Sequence, residues 1–181
     1  FCTFSRVLRA FAALDQAQYA LVPILSQASF GTDSRFGAAA DFASQLQALC
    51  GHKILHTCPE VEPIGPKKLL DALIIAPCTG NTLAKLAAGI ADGPVTLAAK
   101  AHLRNERPII LAVSTNDGLA GNAASIGALL NRKHYYFVPF GQDSAFKKPR
   151  SLVADFERLP ETVAAALRGE QLQPLLYGAK T

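Results

Sequence analysis

Two short polar turns hold the side chains of this chain best suited to gripping an anion. In the first, Thr79, Gly80, Asn81 and Thr82 follow the apolar run 73–77 (LIIAP) and open a helical pattern. Two hydroxyls, an amide and a glycine at such a turn offer side-chain donors and close backbone approach. The N–H groups of the helix start point the same way, which makes a phosphate or carboxylate cradle. The competing account is that Thr79 or Asn81 only caps the helix. In the second turn, Ser114, Thr115, Asn116 and Asp117 close the run 109–114 (IILAVS), and Asp117 stands where a helix cap is wanted. A third polar stretch, 32–37, carries Arg35 beside Phe36 and follows an apolar run that ends at Ser26. The Arg35 fork suits a carboxylate or phosphate, or an ordinary surface ion pair.

Other chemistry finds little support. Ser114 lies on no GxSxG elbow and no His completes a triad order, so hydrolysis is unsupported. His52 and His56 are four apart in a loop-to-strand region, where that spacing makes no common face, and His102 and His134 are expected in solvent. Cys2, Cys50, Cys58 and Cys78 show neither a CxxC pair nor a His at zinc spacing. They are expected as reduced thiols with no metal, Cys78 being a buried structural one. Lys147, Lys148 and Arg150 read as a solvated basic loop, 146–151, and the Pro-rich stretch 59–66 reads as another loop.

The elements that must position the turns are apolar runs of strand length alternating with helical patterns. Strands are expected over 19–26, 73–77, 109–114 and 135–139, with a weaker one over 53–56. Each is nearly continuous in apolar character, as in strands covered on both faces. Helices are expected over 3–16, 38–49, 81–90, 95–103, 118–130 and 159–168. This alternation predicts one α/β domain over 1–181, a parallel sheet with helices on both faces in a three-layer sandwich. Ligands in such sheets sit at the strand carboxyl ends, so the loops after Ser26, Pro77, Ser114 and Pro139 are the ones that matter.

Composition agrees. The chain has 181 residues, 50% hydrophobic and 18% charged, enough for a core and too apolar for disorder. Net charge +4 is too mild to imply nucleic acid, and no apolar run approaches membrane-spanning length. The chain starts on Phe1 and contains no Met, which reads as a piece of a longer protein.

The segment 76–82 (APCTGNT), with Leu86-Ala87 and Gly89-Ile90 after it, resembles the PASANT-type motif of the homo-oligomeric flavin-containing cysteine decarboxylases. A fuller resemblance, to the family of dipicolinate synthase B subunits, runs along almost the whole chain. It is carried by Cys2-Thr3-Phe4, 34–37 (SRFG), 64–66 (IGP), 75–81 (IAPCTGN), 98–101 (AAKA), Arg104-Asn105, 114–117 (STND), 139–143 (PFGQD), Lys148-Pro149 and 171–174 (QLQP).

That resemblance implies a flavodoxin-like, Rossmann-type fold whose first strand, with a Thr-Gly-Ser phosphate turn, would lie ahead of Phe1. It implies FMN contacts from Ser26, Thr79, Gly80, Asn81, Thr82, Thr115 and Asn116, and substrate contacts from Arg35, Phe36 and Ser114, with no catalytic residue assigned. The implied activity is that of an oxidoreductase subunit, helping oxidise and dehydrate a cyclic lysine-pathway dicarboxylate during sporulation. NADP would come through the A subunit of dipicolinate synthase as partner. The setting would be the mother-cell cytoplasm and the assembly a trimer or multiple of three. The alternatives are a self-sufficient FMN decarboxylase and a scaffold with a degenerate flavin site. Decarboxylation is the less supported, since 64–68 (IGPKK) lacks the His of the decarboxylase relatives.

Overall fold

The computed structural model describes residues 3–17 and 19–178; Cys2, with the thiol state expected of it, lies outside them. In chain order the elements are α1 (Phe4–Gln16), α2 (Gln27–Gly31), α3 (Ala39–Cys50), α4 (Cys58–Val61), β1 (Leu73–Cys78), α5 (Gly80–Ala88), α6 (Pro94–Leu103), β2 (Ile109–Thr115), α7 (Ala123–Leu130), β3 (Tyr135–Phe137), β4 (Phe140–Ser144), β5 (Lys148–Ala154) and α8 (Leu159–Leu167). The apolar runs become the centre of the molecule. β1, β2 and β3 are parallel, with Leu73 opposite Ile109 and Ile109 opposite Tyr135. Ile109, Ile110, Leu111, Ala112 and Val113 of β2 are all fully buried, as a central strand with covered faces requires.

Helices cover both faces. α1 and α8 pack together over one side of β1–β3, and α5, α6 and α7 over the other. Leu83 and Leu86 of α5, Ala98 and Ala99 of α6, and Val7 and Leu14 of α1 supply the apolar stripes. α5 ends at Gly89, whose φ of +73° closes the helix in a left-handed turn that a β-carbon would strain. Among the described residues no helix is long and apolar enough to cross a membrane.

The central sheet flanked by helices is the expected fold, with corrections in detail. The sheet is mixed rather than parallel. β4 and β5 form an antiparallel hairpin, and β5 joins the end of β2 through Ser114–Val153 and Thr115–Leu152. The expected basic loop 146–151 is therefore partly β5, with Lys148, Pro149 and Arg150 exposed. Residues 19–26 and 53–56 form no named strand. They are extended and meet at a single parallel bridge, Ile24–Leu55, where Pro23 has no N–H to extend the ladder. The helix expected from Gly118 begins at Ala123, because Asp117 folds 117–122 into a turn that receives the N–H groups of Ala120 and Asn122. Finally, His102 is fully buried rather than solvated, with Nε2 3.1 Å from the Pro108 carbonyl oxygen. Burial keeps it neutral by lowering its pKa.

Candidate functional site

β1 and β2 end side by side, Cys78 opposite Val113, so the turns that leave them meet. Gly80 is the point of contact. A β-carbon there would stand 2.5 Å from Asn122 Nδ2, 2.7 Å from Thr115 Oγ1 and 2.9 Å from Asp117 Oδ1. A side chain there would push these three polar groups out of place, so glycine lets the start of α5 seat itself in the second turn without disturbing it. Asp117 organises that turn. Its carboxylate accepts the Thr115 hydroxyl on one oxygen and Asn122 Nδ2, at 2.7 Å, on the other. These donors, Thr115 first and Asn122 second, hold the Asp117 carboxyl below its ordinary pKa, so it is ionised at neutral pH.

Asn122 is only 9% exposed. Its nitrogen is committed to Asp117, and its Oδ1 is buried with no hydrogen-bond partner among the described residues. Leaving a buried acceptor empty costs about 1–3 kcal/mol, so the position favours a ligand N–H or O–H. The start of α5 offers the opposite character. Its N-cap, Thr79, makes no side-chain cap bond; the hydroxyl lies 3.3 Å from Thr82 Oγ1 instead. Among the described residues the N–H groups of Gly80, Asn81 and Thr82 have no side-chain acceptor, and they stand at the positive end of the helix dipole. Simple capping by Thr79 is not what this turn does. Donors at the α5 start beside an empty acceptor at Asn122 fit a polar group carrying both functions, as a flavin nucleotide does.

The structure thus joins Gly80 and Thr115 directly, with Thr79, Asn81 and Thr82 in the same turn. Asn116 is exposed beside Thr115, and Ser114 is half-buried within β2. The remaining expected residues stand apart from this contact network. Ser26 caps α2, accepting from Ser29 N at 3.1 Å and donating to Ser29 Oγ at 3.0 Å. Arg35 is exposed and lies 4.8 Å from the centre of the Phe36 ring, and it forms no ion pair among the described residues. Cys78 is wholly buried, and burial pushes its thiol far above the ordinary range, so it stays protonated. Asn122 is not among the residues expected from sequence. The signal available was an amide five residues after Asp117, at the start of an alanine-rich helix.

The Flavoprotein family matches residues 13–145. The dipicolinate synthase B subunit of Bacillus subtilis (strain 168) is 41% identical over 175 residues, covering 97% of this chain and 88% of the relative. The crystal structure of the dipicolinate synthase B subunit from Bacillus halodurans C superposes with a TM-score of 0.89 at 41% identity, covering 97% of this chain and 90% of that one. The FMN-dependent cysteine decarboxylase SpaF shares the fold, with a TM-score of 0.66 at 19% identity and coverage of 92% and 89%. The meeting of two polar turns at the strand carboxyl ends is therefore set in a fold shared with flavin enzymes, and the chain belongs to the Flavoprotein family and, within it, to the dipicolinate synthase B subunits.

Proposed function

We propose that this chain is the B subunit of a dipicolinate synthase and holds FMN at the carboxyl ends of β1 and β2. The observation that carries this reading is 41% identity along 97% of the chain. The uncapped start of α5 beside the buried Asn122 acceptor supports it chemically. When bound, FMN supplies two-electron acceptance for oxidation of a cyclic dicarboxylate. Thr79, Asn81 and Thr82 donate hydrogen bonds to it. Asp117, kept ionised, fixes the orientation of Thr115 and Asn122, so that Asn122 Oδ1 accepts a ligand proton donor. Gly80 keeps the backbone close enough to touch.

For the substrate, Arg35 grips one carboxylate in a fork with Phe36 against the ring, and the turn Ser114–Asn116 receives the other. A nicotinamide-binding A subunit brings NADP, the setting is the mother cell of a sporulating bacterium, and the assembly is built in threes by analogy with flavoproteins of this group.

Reconstitution is the direct test. The purified chain should show flavin absorbance, and dipicolinate should form only after an A subunit is added. A colourless chain that leaves the A subunit's activity unchanged would sink the proposal. One hydrogen bond to a charged group is worth roughly 1.5–3 kcal/mol, so Asn81→Ala should weaken flavin binding about 10- to 150-fold. Unchanged affinity would make Asn81 a bystander at the helix start. Arg35→Lys keeps the charge and loses the fork; it should lower dipicolinate formation at least about tenfold with little change in melting temperature.

A further inference from the structure

A cavity of about 550 Å³, lined by none of the residues at the Gly80 contact, opens between α1 and the β4–β5 hairpin. One wall is basic: Arg6 and Arg9 stand one helical turn apart on α1. The opposite wall is acidic and carries Asp143, Asp155 and Glu157. Asp143 is already neutralised by Lys148 at 2.7 Å. The other charges are not matched. Among the described residues, neither the Arg6 nor the Arg9 side chain forms an ion pair or hydrogen bond, and neither does that of Glu157; the Asp155 carboxylate accepts only the Glu157 N–H, at 3.3 Å. Two cations and two carboxylates therefore line one space without reaching each other across it. Tyr177, whose hydroxyl donates to the Val153 carbonyl at 3.2 Å, stands within the field of both walls. Burial raises its pKa most, Asp155 adds to the rise and Arg6 opposes it.

A simple anion would meet two carboxylates here, and a simple cation two guanidinium groups. A molecule carrying both charges satisfies both walls. Ala10, Ala13, Val153 and Phe156 give the cavity an apolar floor for a hydrocarbon body. We propose that this cavity binds a small zwitterion, an α-amino acid with an apolar side chain, its carboxylate against Arg6 and Arg9 and its ammonium against Asp155 and Glu157.

Isothermal titration of the full chain with three matched probes tests it. L-leucine carries both charges, 4-methylpentanoate is leucine without the amine, and 3-methylbutylamine is leucine without the carboxylate. Leucine should bind at least about tenfold more tightly than either truncated probe, since each lost contact is a hydrogen bond to a charged group. Arg9→Gln and Glu157→Gln, both at exposed positions, should each weaken leucine by at least about the same factor. Equal binding of the three probes overturns the proposal, as does no saturable binding of leucine at millimolar concentration. An unchanged leucine affinity in a folded Arg9→Gln protein does the same. Should a variant fail to fold, the three-probe comparison on the unaltered chain still decides. A change of oligomer size in Arg9→Gln, with no leucine binding to the parent, would make the cavity an interface between copies of the chain and overturn it as well.

Discussion

At the scale of single residues, Gly80 is where the site is most exposed to damage. Alanine is the better helix former by about 0.8–1.0 kcal/mol, so propensity alone favours Gly80→Ala. Sterics decide otherwise, because the new methyl group would overlap Asn122, Thr115 and Asp117 at 2.5–2.9 Å. Overpacking of this kind costs typically about 1–3 kcal/mol, so we expect net destabilisation in urea unfolding together with loss of ligand affinity. A stabilised variant would mean that the second turn yields freely.

Asp117 makes a separate prediction through pH. Its carboxyl titrates below the ordinary value, so its stabilising contribution is complete above the normal carboxylate range and disappears as pH falls through the folded value. Asp117→Asn should lower the urea midpoint at pH 7, and the two curves should converge in acid, below about pH 4. Glu60, held near a pKa of about 2 by the His56 backbone N–H, by Lys53 and by Thr57, titrates in the same window in both proteins. The difference between the curves therefore isolates Asp117. Parallel curves from pH 7 to pH 3 would contradict this account.

At the scale of elements, the β4–β5 hairpin decides how the turn after β2 is supported. Leu152 of β5 lies against Gly118, where a β-carbon would stand 2.7 Å from the leucine side chain. Ser151 Oγ donates to the Thr115 carbonyl at 3.3 Å. The hairpin in turn is held by Tyr177, so Tyr177→Phe should lose one hydrogen bond, about 0.5–1.5 kcal/mol, in equilibrium unfolding. No loss would show that water replaces the Val153 contact.

None of the hairpin was legible in the sequence, and the reason is physical. Phe140–Ser144 and Lys148–Ala154 pair mainly through backbone atoms, and Lys148, Pro149 and Arg150 face solvent, so no apolar run marks them. β1, β2 and β3 were legible because a strand covered on both faces must be apolar throughout. The same signal misled at 19–26, whose apolar residues pack beside the core while Pro23 limits pairing to one bridge. Within the site, Thr79–Thr82 and Ser114–Asn116 could be read from composition at strand ends. Asn122 could not, since its part depends on a tertiary contact with Asp117 and Gly80.

At the scale of the whole molecule, α5 and α6 turn most of their apolar side chains inward. Leu83 and Leu86 of α5 and Ala98 and Ala99 of α6 cover the sheet. Large apolar side chains do reach the surface nearby, with Ile90 47%, Leu119 51% and Leu130 43% exposed. An assembly in threes would place them at contacts between copies and reduce that exposure. Light scattering at micromolar concentration should then report a trimer or a multiple of it, and Leu130→Glu should shift the population to smaller species. A strictly monomeric parent chain would remove oligomerisation from the proposed function.

The segment after α8 also shields a raw strand edge. Phe140 N–H donates to the Leu175 carbonyl at 3.0 Å, and Tyr177 N–H donates to the Phe140 carbonyl at 3.4 Å, so the first residue of β4 is paired on its outer side by the segment 175–177. Proteolytic trimming before Leu175 would uncover backbone groups that recruit strands from other molecules. Such nicked material should sediment as heavy, concentration-dependent aggregates while the undamaged fraction keeps its normal size. Shelf life in solution would then be governed by protease contamination rather than by the depth of the folded minimum.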